Sequence, residues 1–174
     1  FDAEVQKAVN RVQPYELVAE TVKNLRAGGI TDLNLDLMYG LPFQRPENFG
    51  KSADLAIGLA PERMTLFGYA HVPWMFSHMK LIKDDDLPNA EERLILFDEA
   101  LRRLNAAGYI HIGLDHFSKA GSEMDAAQQE GRLHRNFQGY TTDTAKTLLA
   151  FGASAISTLP GGFVQNKSAA RDYM

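Results

Sequence analysis

An α/β fold with about four parallel strands and flanking helices is predicted by three observations on this sequence. Segments with a helical apolar period alternate with short runs of period two, in the order helix, strand, helix, strand, helix, strand, helix, strand. Glycine closes the helical segments, as at Gly28-Gly29 and Gly108. The strands carry polar residues at alternate positions, so each offers one apolar and one chemically equipped face. Such alternation argues for parallel strands joined by right-handed crossovers. About four strands cannot close an eight-stranded barrel, so the chain is either a small open sheet or part of a larger barrel.

The 174 residues fit a single domain spanning 1–174 and can bury a sizeable core. Hydrophobic residues make up 45% and charged residues 23%, an ordinary globular balance. A net charge of -4 gives no general basic field for a nucleic-acid backbone. No apolar run approaches the roughly 20 residues that cross a bilayer, so no membrane partner is expected and a cytoplasmic location is the default. There is no cysteine, hence no disulfide and no thiolate for a zinc or iron–sulfur site. The chain opens at Phe1 inside a helix-like stretch, which leads us to expect a piece of a longer protein.

Residues 2–11 form a short polar helix with Val5, Ala8 and Val9 on one face. Pro14 suits the first turn of the next helix, where Leu17, Val18, Thr21, Val22 and Leu25 recur at helical spacing. A strand follows at 33–38, with Leu33, Leu35 and Leu37 opposite Asn34, Asp36 and Met38. It is expected to be buried on both faces and to stop at Tyr-Gly-Leu-Pro, residues 39–42. Pro46-Glu47 opens a helix with Phe49, Ala53 and Ala56 inward, ending before Pro61. Residues 63–69 read as a strand. The segment 70–76, Ala-His-Val-Pro-Trp-Met-Phe, is too aromatic for an ordinary surface loop and is expected to line a site or a partner surface.

Asn89 with Glu92 makes a capping box for a helix whose buried stripe is Leu94, Phe97, Leu101 and Leu104. A strand at 109–115 then turns Ile110, Ile112 and Leu114 one way and His111, Gly113 and Asp115 the other. Residues 122–131 form a short exposed helix. The stretch 134–142, His-Arg-Asn-Phe-Gln-Gly-Tyr-Thr-Thr, shows no period and reads as a functional loop. A helix at 143–150, a glycine turn into a strand at 151–157, and a loop with a last helical turn complete the chain.

Asp36 and Asp115 stand out as carboxylates near strand C-termini, where they either cap turns and pair with arginine or bind a ligand, with Arg11 one candidate partner. Of the five histidines, His111 and His116 lie close together, but an odd separation on one strand sends them to opposite faces, which argues against a metal site. His134-Arg135-Asn136 reads better as an anion or carboxylate site. The small-residue turn at Gly152-Ala-Ser-Ala permits close approach of a ligand or merely helix-to-strand packing. No phosphate-loop or nucleophile–base pattern is present, and no catalytic residue is assigned.

Five stretches together resemble the oxygen-independent coproporphyrinogen III oxidases, which are radical S-adenosylmethionine enzymes. They are Asn-Leu-Asp-Leu-Met-Tyr-Gly-Leu-Pro at 34–42, Tyr-Ala-His-Val-Pro at 69–73, Gly-Leu-Asp-His-Phe at 113–117, residues 134–142, and Gly-Ala-Ser-Ala-Ile-Ser at 152–157. The resemblance implies a partial (β/α) TIM-like barrel, of which this chain is a central fragment. It implies a [4Fe–4S] cluster and S-adenosylmethionine in the parent enzyme, and oxidative decarboxylation of two propionates of coproporphyrinogen III to give protoporphyrinogen IX. By the same resemblance Ile156 lines a first S-adenosylmethionine, while Arg11, Asp36 and Ala70 surround a second. The family's three spaced cysteines are not in this chain, so the fragment alone is expected to be inactive, and the parent to be monomeric. Two other readings predict different behaviour: a haem-binding, chaperone-like module of the same superfamily, and a metal-dependent hydrolase barrel.

Overall fold

In a computed structural model that describes residues 1–137 and 139–174, strand β2 (Arg63–Gly68) is buried on both faces, with Met64, Thr65 and Leu66 each no more than 1% exposed. It is the centre of a four-stranded sheet. On one side β1 (Asn34–Tyr39) runs parallel to it, Leu35 opposite Met64 and Tyr39 opposite Gly68. On the other side lies β4 (His116–Lys119), antiparallel, followed by β3 (Tyr109–Gly113) at the far edge. Both-face burial, expected for β1, belongs instead to β2, because β1 is an edge strand. Its Asn34, Asp36 and Met38 are exposed and its Leu35, Leu37 and Tyr39 half-buried.

Among the described residues only β1 and β2 pair in parallel, which corrects the expected set of about four parallel strands. The segment predicted as one strand over 109–115 is the first arm of a hairpin. Leu114 takes a left-handed φ of 48° beside Gly113 at 154°, so the chain reverses there. Phe117 then pairs opposite His111 and enters the core at 1% exposure.

Helices α1 (Ala3–Ala8), α2 (Tyr15–Ala27), α3 (Pro46–Gly58) and α4 (Ala90–Ala106) complete this part of the fold. Phe49 and Ala56 of α3 and Leu96, Ala100 and Leu104 of α4 pack with Met64, Leu66 and Phe117 in one cluster. The α4 stripe is therefore rotated from the predicted one: Leu94 is exposed, Phe97 and Leu101 are half-buried, and Leu104 is buried as expected. Asn89 caps α4 as predicted, accepting from the Glu91 and Glu92 N–H groups while Glu92 answers the Asn89 N–H. Arg103 bridges α4 to α3 through Asp54 and holds Glu99 on its own helix.

Polar ties fix the opposite end of the sheet. Glu62 accepts from the Leu33 N–H at 3.1 Å and from Lys119 Nζ at 3.1 Å. Desolvation pulls its pKa up, but those hydrogen bonds and the lysine charge outweigh it, and the net shift is downward. Tyr109 donates to the Pro61 carbonyl at 2.6 Å. Burial, then the Glu62 charge, pushes its phenol up to about 12 against an opposing pull from Arg26.

Packing divides the chain into two compact units, Phe1–Ala126 and Ala127–Met174, with α5 (Glu123–Gln129) straddling the division. The second unit holds two hairpins, β5 (His134–Asn136) with β6 (Gly139–Thr141) and β7 (Ile156–Leu159) with β8 (Gly162–Gln165), then α6 (Ala170–Tyr173). Residues 134–142, read as an aperiodic loop, are thus mostly hairpin, though Gln138 lies outside the described residues. Three-residue strands are too short to display a period.

The helix expected at 143–150 is absent. Thr141 Oγ1 takes the Asp143 N–H and Asp143 Oδ1 takes the Ala145 N–H, a local alternative to helical bonding. Leu148 instead bridges Thr158. The fourth strand, expected at 151–157, is β7, which returns through Pro160-Gly161 into β8 rather than joining a parallel sheet.

Candidate functional site

Beside β1 and the C-terminal end of β2 the chain lines a half-open cavity of about 810 Å³, within the roughly 300–1,000 Å³ typical of small-molecule sites. Its walls come from α1 and the loop after it, Val18 of α2, residues 35–38 of β1, the face of α3 from Asn48 to Ala56, residues 67–70, and the 3-10 turn Ser77–Leu81 with Ile82. Arg11, Asp36 and Ala70 all line it. Three residues far apart in sequence thereby share one chamber. Ile156 opens β7 in the second unit, paired with Gln165.

Each of the polar groups has local support. Asp2 caps α1 by accepting from the Glu4 and Val5 N–H groups, and Asn10 ends the helix with a left-handed φ of 51°. The Gln6 side chain then grips the returning loop, donating to Gln13 O at 2.7 Å and accepting the Gln13 N–H at 2.8 Å. The Arg11 N–H donates to Gln6 O at 2.9 Å, so the loop that carries the guanidinium is tied to α1. On the sheet, Thr65 Oγ1 donates to Asn34 Oδ1 at 3.2 Å, and Asn34 Nδ2 donates to Asp36 Oδ1 at 2.6 Å. One carboxylate oxygen is thereby oriented by a buried threonine. Gln6, Asn34 and Thr65 escaped sequence reasoning. An alternation of polar with apolar positions was the only signal, and it identifies a face without saying which residue holds which.

The segment after β2 is also braced. Tyr69 Oη lies 3.1 Å from His71 Nδ1, and His71 Nε2 lies 3.2 Å from Asp84 Oδ1. Burial raises the Tyr69 pKa. Of the aromatic stretch predicted to line a site, Ala70 does so, but Trp74, Met75 and Phe76 are exposed, and His78, Met79 and Ile82 form that wall.

Asp115 stands apart from the cavity lining and in the β3–β4 turn rather than on a strand face. Its carbonyl accepts the Leu66 N–H at 2.8 Å and its carboxylate lies 3.3 Å from His116 Nε2, rather than pairing with an arginine. His111 and His116 occupy opposite arms of a hairpin rather than one strand. His111 stacks on Phe117 at 4.8 Å and its Nε2 lies 2.6 Å from Leu114 O. In the second unit, Arg135 lies over the Tyr140 ring at 5.9 Å, across the β5–β6 pair.

The chain is 44% identical over 169 residues to the oxygen-independent coproporphyrinogen III oxidase of Paracoccus denitrificans, covering 97% of this chain and 38% of the relative. It is 46% identical over 170 residues to that of Bradyrhizobium diazoefficiens, covering 96% and 37%. The solved coproporphyrinogen III oxidase HemN of Escherichia coli, described as a radical SAM enzyme, superposes with a TM-score of 0.93 at 42% identity, over 98% of this chain and 39% of that one. The chain is similar to one part of the oxygen-independent coproporphyrinogen III oxidases. It spans less than two fifths of the length of the relatives it matches. No protein-family model matches it.

The residues of this chain fit one of the groups expected of a radical SAM enzyme and not the other. With no cysteine in the chain, no thiolate is on hand for an iron–sulfur cluster. S-adenosylmethionine is a better match. It carries an ammonium and ribose hydroxyls that a carboxylate can accept from, a carboxylate that a guanidinium can hold, and an adenine that apolar walls can cover. The cavity has Asp36, Arg11, and walls that include Val5, Leu35, Phe49 and Phe67.

Proposed function

We propose that the chain is the part of an oxygen-independent coproporphyrinogen III oxidase that forms a wall for S-adenosylmethionine within a partial TIM-like barrel. The parent enzyme would remove two propionate carboxyl groups from coproporphyrinogen III oxidatively, giving the vinyl groups of protoporphyrinogen IX. S-adenosylmethionine, cleaved reductively at a [4Fe–4S] cluster in the parent, would supply the radical that takes hydrogen from each propionate. The observation that carries the reading is the meeting of Arg11, Asp36 and Ala70 in one cavity beside β1 and the C-terminal end of β2.

In this reading Asp36 Oδ2, left over from the Asn34 hydrogen bond, accepts from the ammonium or a ribose hydroxyl, and Arg11 holds the carboxylate. Ile156 would line a separate S-adenosylmethionine. The 174-residue chain, lacking thiolates, binds the molecule without cleaving it. Isothermal titration of the chain with S-adenosylmethionine tests the first half: a saturable, stoichiometric heat is expected, and its absence refutes the reading. Reconstitution with iron and sulfide tests the second. Cluster-dependent cleavage by this chain alone would overturn it.

The haem-carrier reading draws no support from His71. Its Nδ1 faces Tyr69 Oη and its Nε2 faces Asp84, so neither nitrogen is presented to an iron.

A further inference from the structure

Ala70 has only a methyl side chain, so any polar contact it makes with a ligand must come from its backbone. Its N–H makes no hydrogen bond among the described residues. The carbonyl of the same peptide unit is held firmly. Arg93 Nη1 donates to Tyr69 O at 2.8 Å, and in a trans peptide the N–H that follows points away from that carbonyl.

The fold makes room for this arginine in three places. Its guanidinium lies 5.5 Å from the Tyr39 ring centroid. A side-chain carbon at Gly68 would sit 3.0 Å from Nη2, and one at Gly40, where φ is 86°, would collide with Nη1. Arg93 also stands one turn ahead of Leu96 and two ahead of Ala100, whose burial fixes α4 against the sheet. The guanidinium is therefore placed by the core, and the Tyr69–Ala70 peptide by the guanidinium. Tyr69 is tied in addition by its own N–H to Tyr39 O at 2.8 Å.

We propose that Arg93 is a positioning residue which, by holding the Tyr69 carbonyl, sets the Ala70 N–H as a fixed donor into the cavity for a ligand acceptor atom, a purine nitrogen or a carboxylate oxygen. The inference rests on the reading of the cavity as an S-adenosylmethionine site. It gives Ala70 a chemical role that its side chain cannot have.

The test uses the 174-residue chain labelled with nitrogen-15 and titrated with S-adenosylmethionine, with Arg93→Met and Arg93→Lys beside it. Loss of a pre-set donor should weaken binding by about tenfold in Arg93→Met, and Arg93→Lys, whose ammonium can reach the same carbonyl, should restore most of it. The Ala70 amide resonance should shift on saturation of the unsubstituted chain and fail to do so in Arg93→Met, a change that general loosening of α4 would not confine to one amide. Unaltered affinity in Arg93→Met overturns the proposal, as does an Ala70 amide that ignores bound ligand. If Arg93→Met loses its fold, the Ala70 amide of the unsubstituted chain and the Arg93→Lys titration decide. No binding by the unsubstituted chain refutes the cavity reading itself, and is distinguished by the absence of heat at every variant.

Discussion

Residues 1–126 and 127–174 both contain four strands or strand-like arms, yet they bury them very differently. In the first unit one sheet is backed by α3 and α4, and Met64, Leu66, Leu96, Leu104 and Phe117 are at most 1% exposed. In the second the strands pair two by two, β8 is exposed along its whole length, and Phe163 is 66% exposed. Two-stranded hairpins of three or four residues contribute little stability on their own, because short paired strands bury little apolar surface. The first unit can hold a carboxylate and a peptide unit in fixed relation because each is tied by hydrogen bonds to side chains that the core positions. Thr65 to Asn34 to Asp36 is one such tie.

Paired substitutions put this contrast to its hardest test. Leu66→Ala, at 1% exposure, should cost about 2–5 kcal/mol in urea unfolding, whereas Val164→Ala in β8, 53% exposed, should stay within about 0.5 kcal/mol. Equal costs would break the comparison. Next in size, Asp36→Asn should weaken S-adenosylmethionine binding about tenfold or more through loss of a charge-assisted hydrogen bond, with the melting temperature unchanged because the side chain is exposed. Calorimetry and a thermal melt on one sample separate the two effects.

A smaller loss is expected at the start of α4. Asn89→Ala should lower stability by about 1 kcal/mol, since two N–H groups lose their acceptor. The smallest effect concerns pH. Because the Glu62 pKa is lower folded than unfolded, its contribution is present above the ordinary glutamate range and is lost as pH falls through the folded value. Glu62→Gln should therefore flatten part of the fall in urea midpoint between about pH 6 and about pH 3. An unchanged slope would show that the ties to Leu33 and Lys119 do not couple to folding.

Much of the first unit was legible in the order of residues. Helices with long apolar periods and clear caps, such as the one Asn89 begins, were read nearly to their ends, because capping and periodicity are local. The strands β1 and β2 were found by alternation. Direction and partner were not, since hydrogen bonding between strands is a contact across the chain. Thus 109–115 was read as one strand although Leu114 turns the chain back, and the rotation of the α4 stripe from Leu94 to Leu96 followed from where the sheet lay. In the second unit the Thr141 and Asp143 side chains overrode a helical period at 143–150.

By itself, then, the sequence determined the local alphabet: caps, glycine stops, an edge strand carrying Asp36, a chain without thiolates, and a set of motifs resembling one family of oxidases. Tertiary structure alone decided which of those residues meet. Arg11 reaches the wall that Asp36 and Ala70 form because Asn10 and Gln6 fold the α1 loop back, and because the parallel pairing of β1 with β2 sets Asp36 beside Thr65, on the strand whose continuation carries Ala70 along the same cavity. Neither condition has a signature in the spacing of the three residues. Both depend on long-range pairing, whose free energy comes from burying β2 and the helices that cover it.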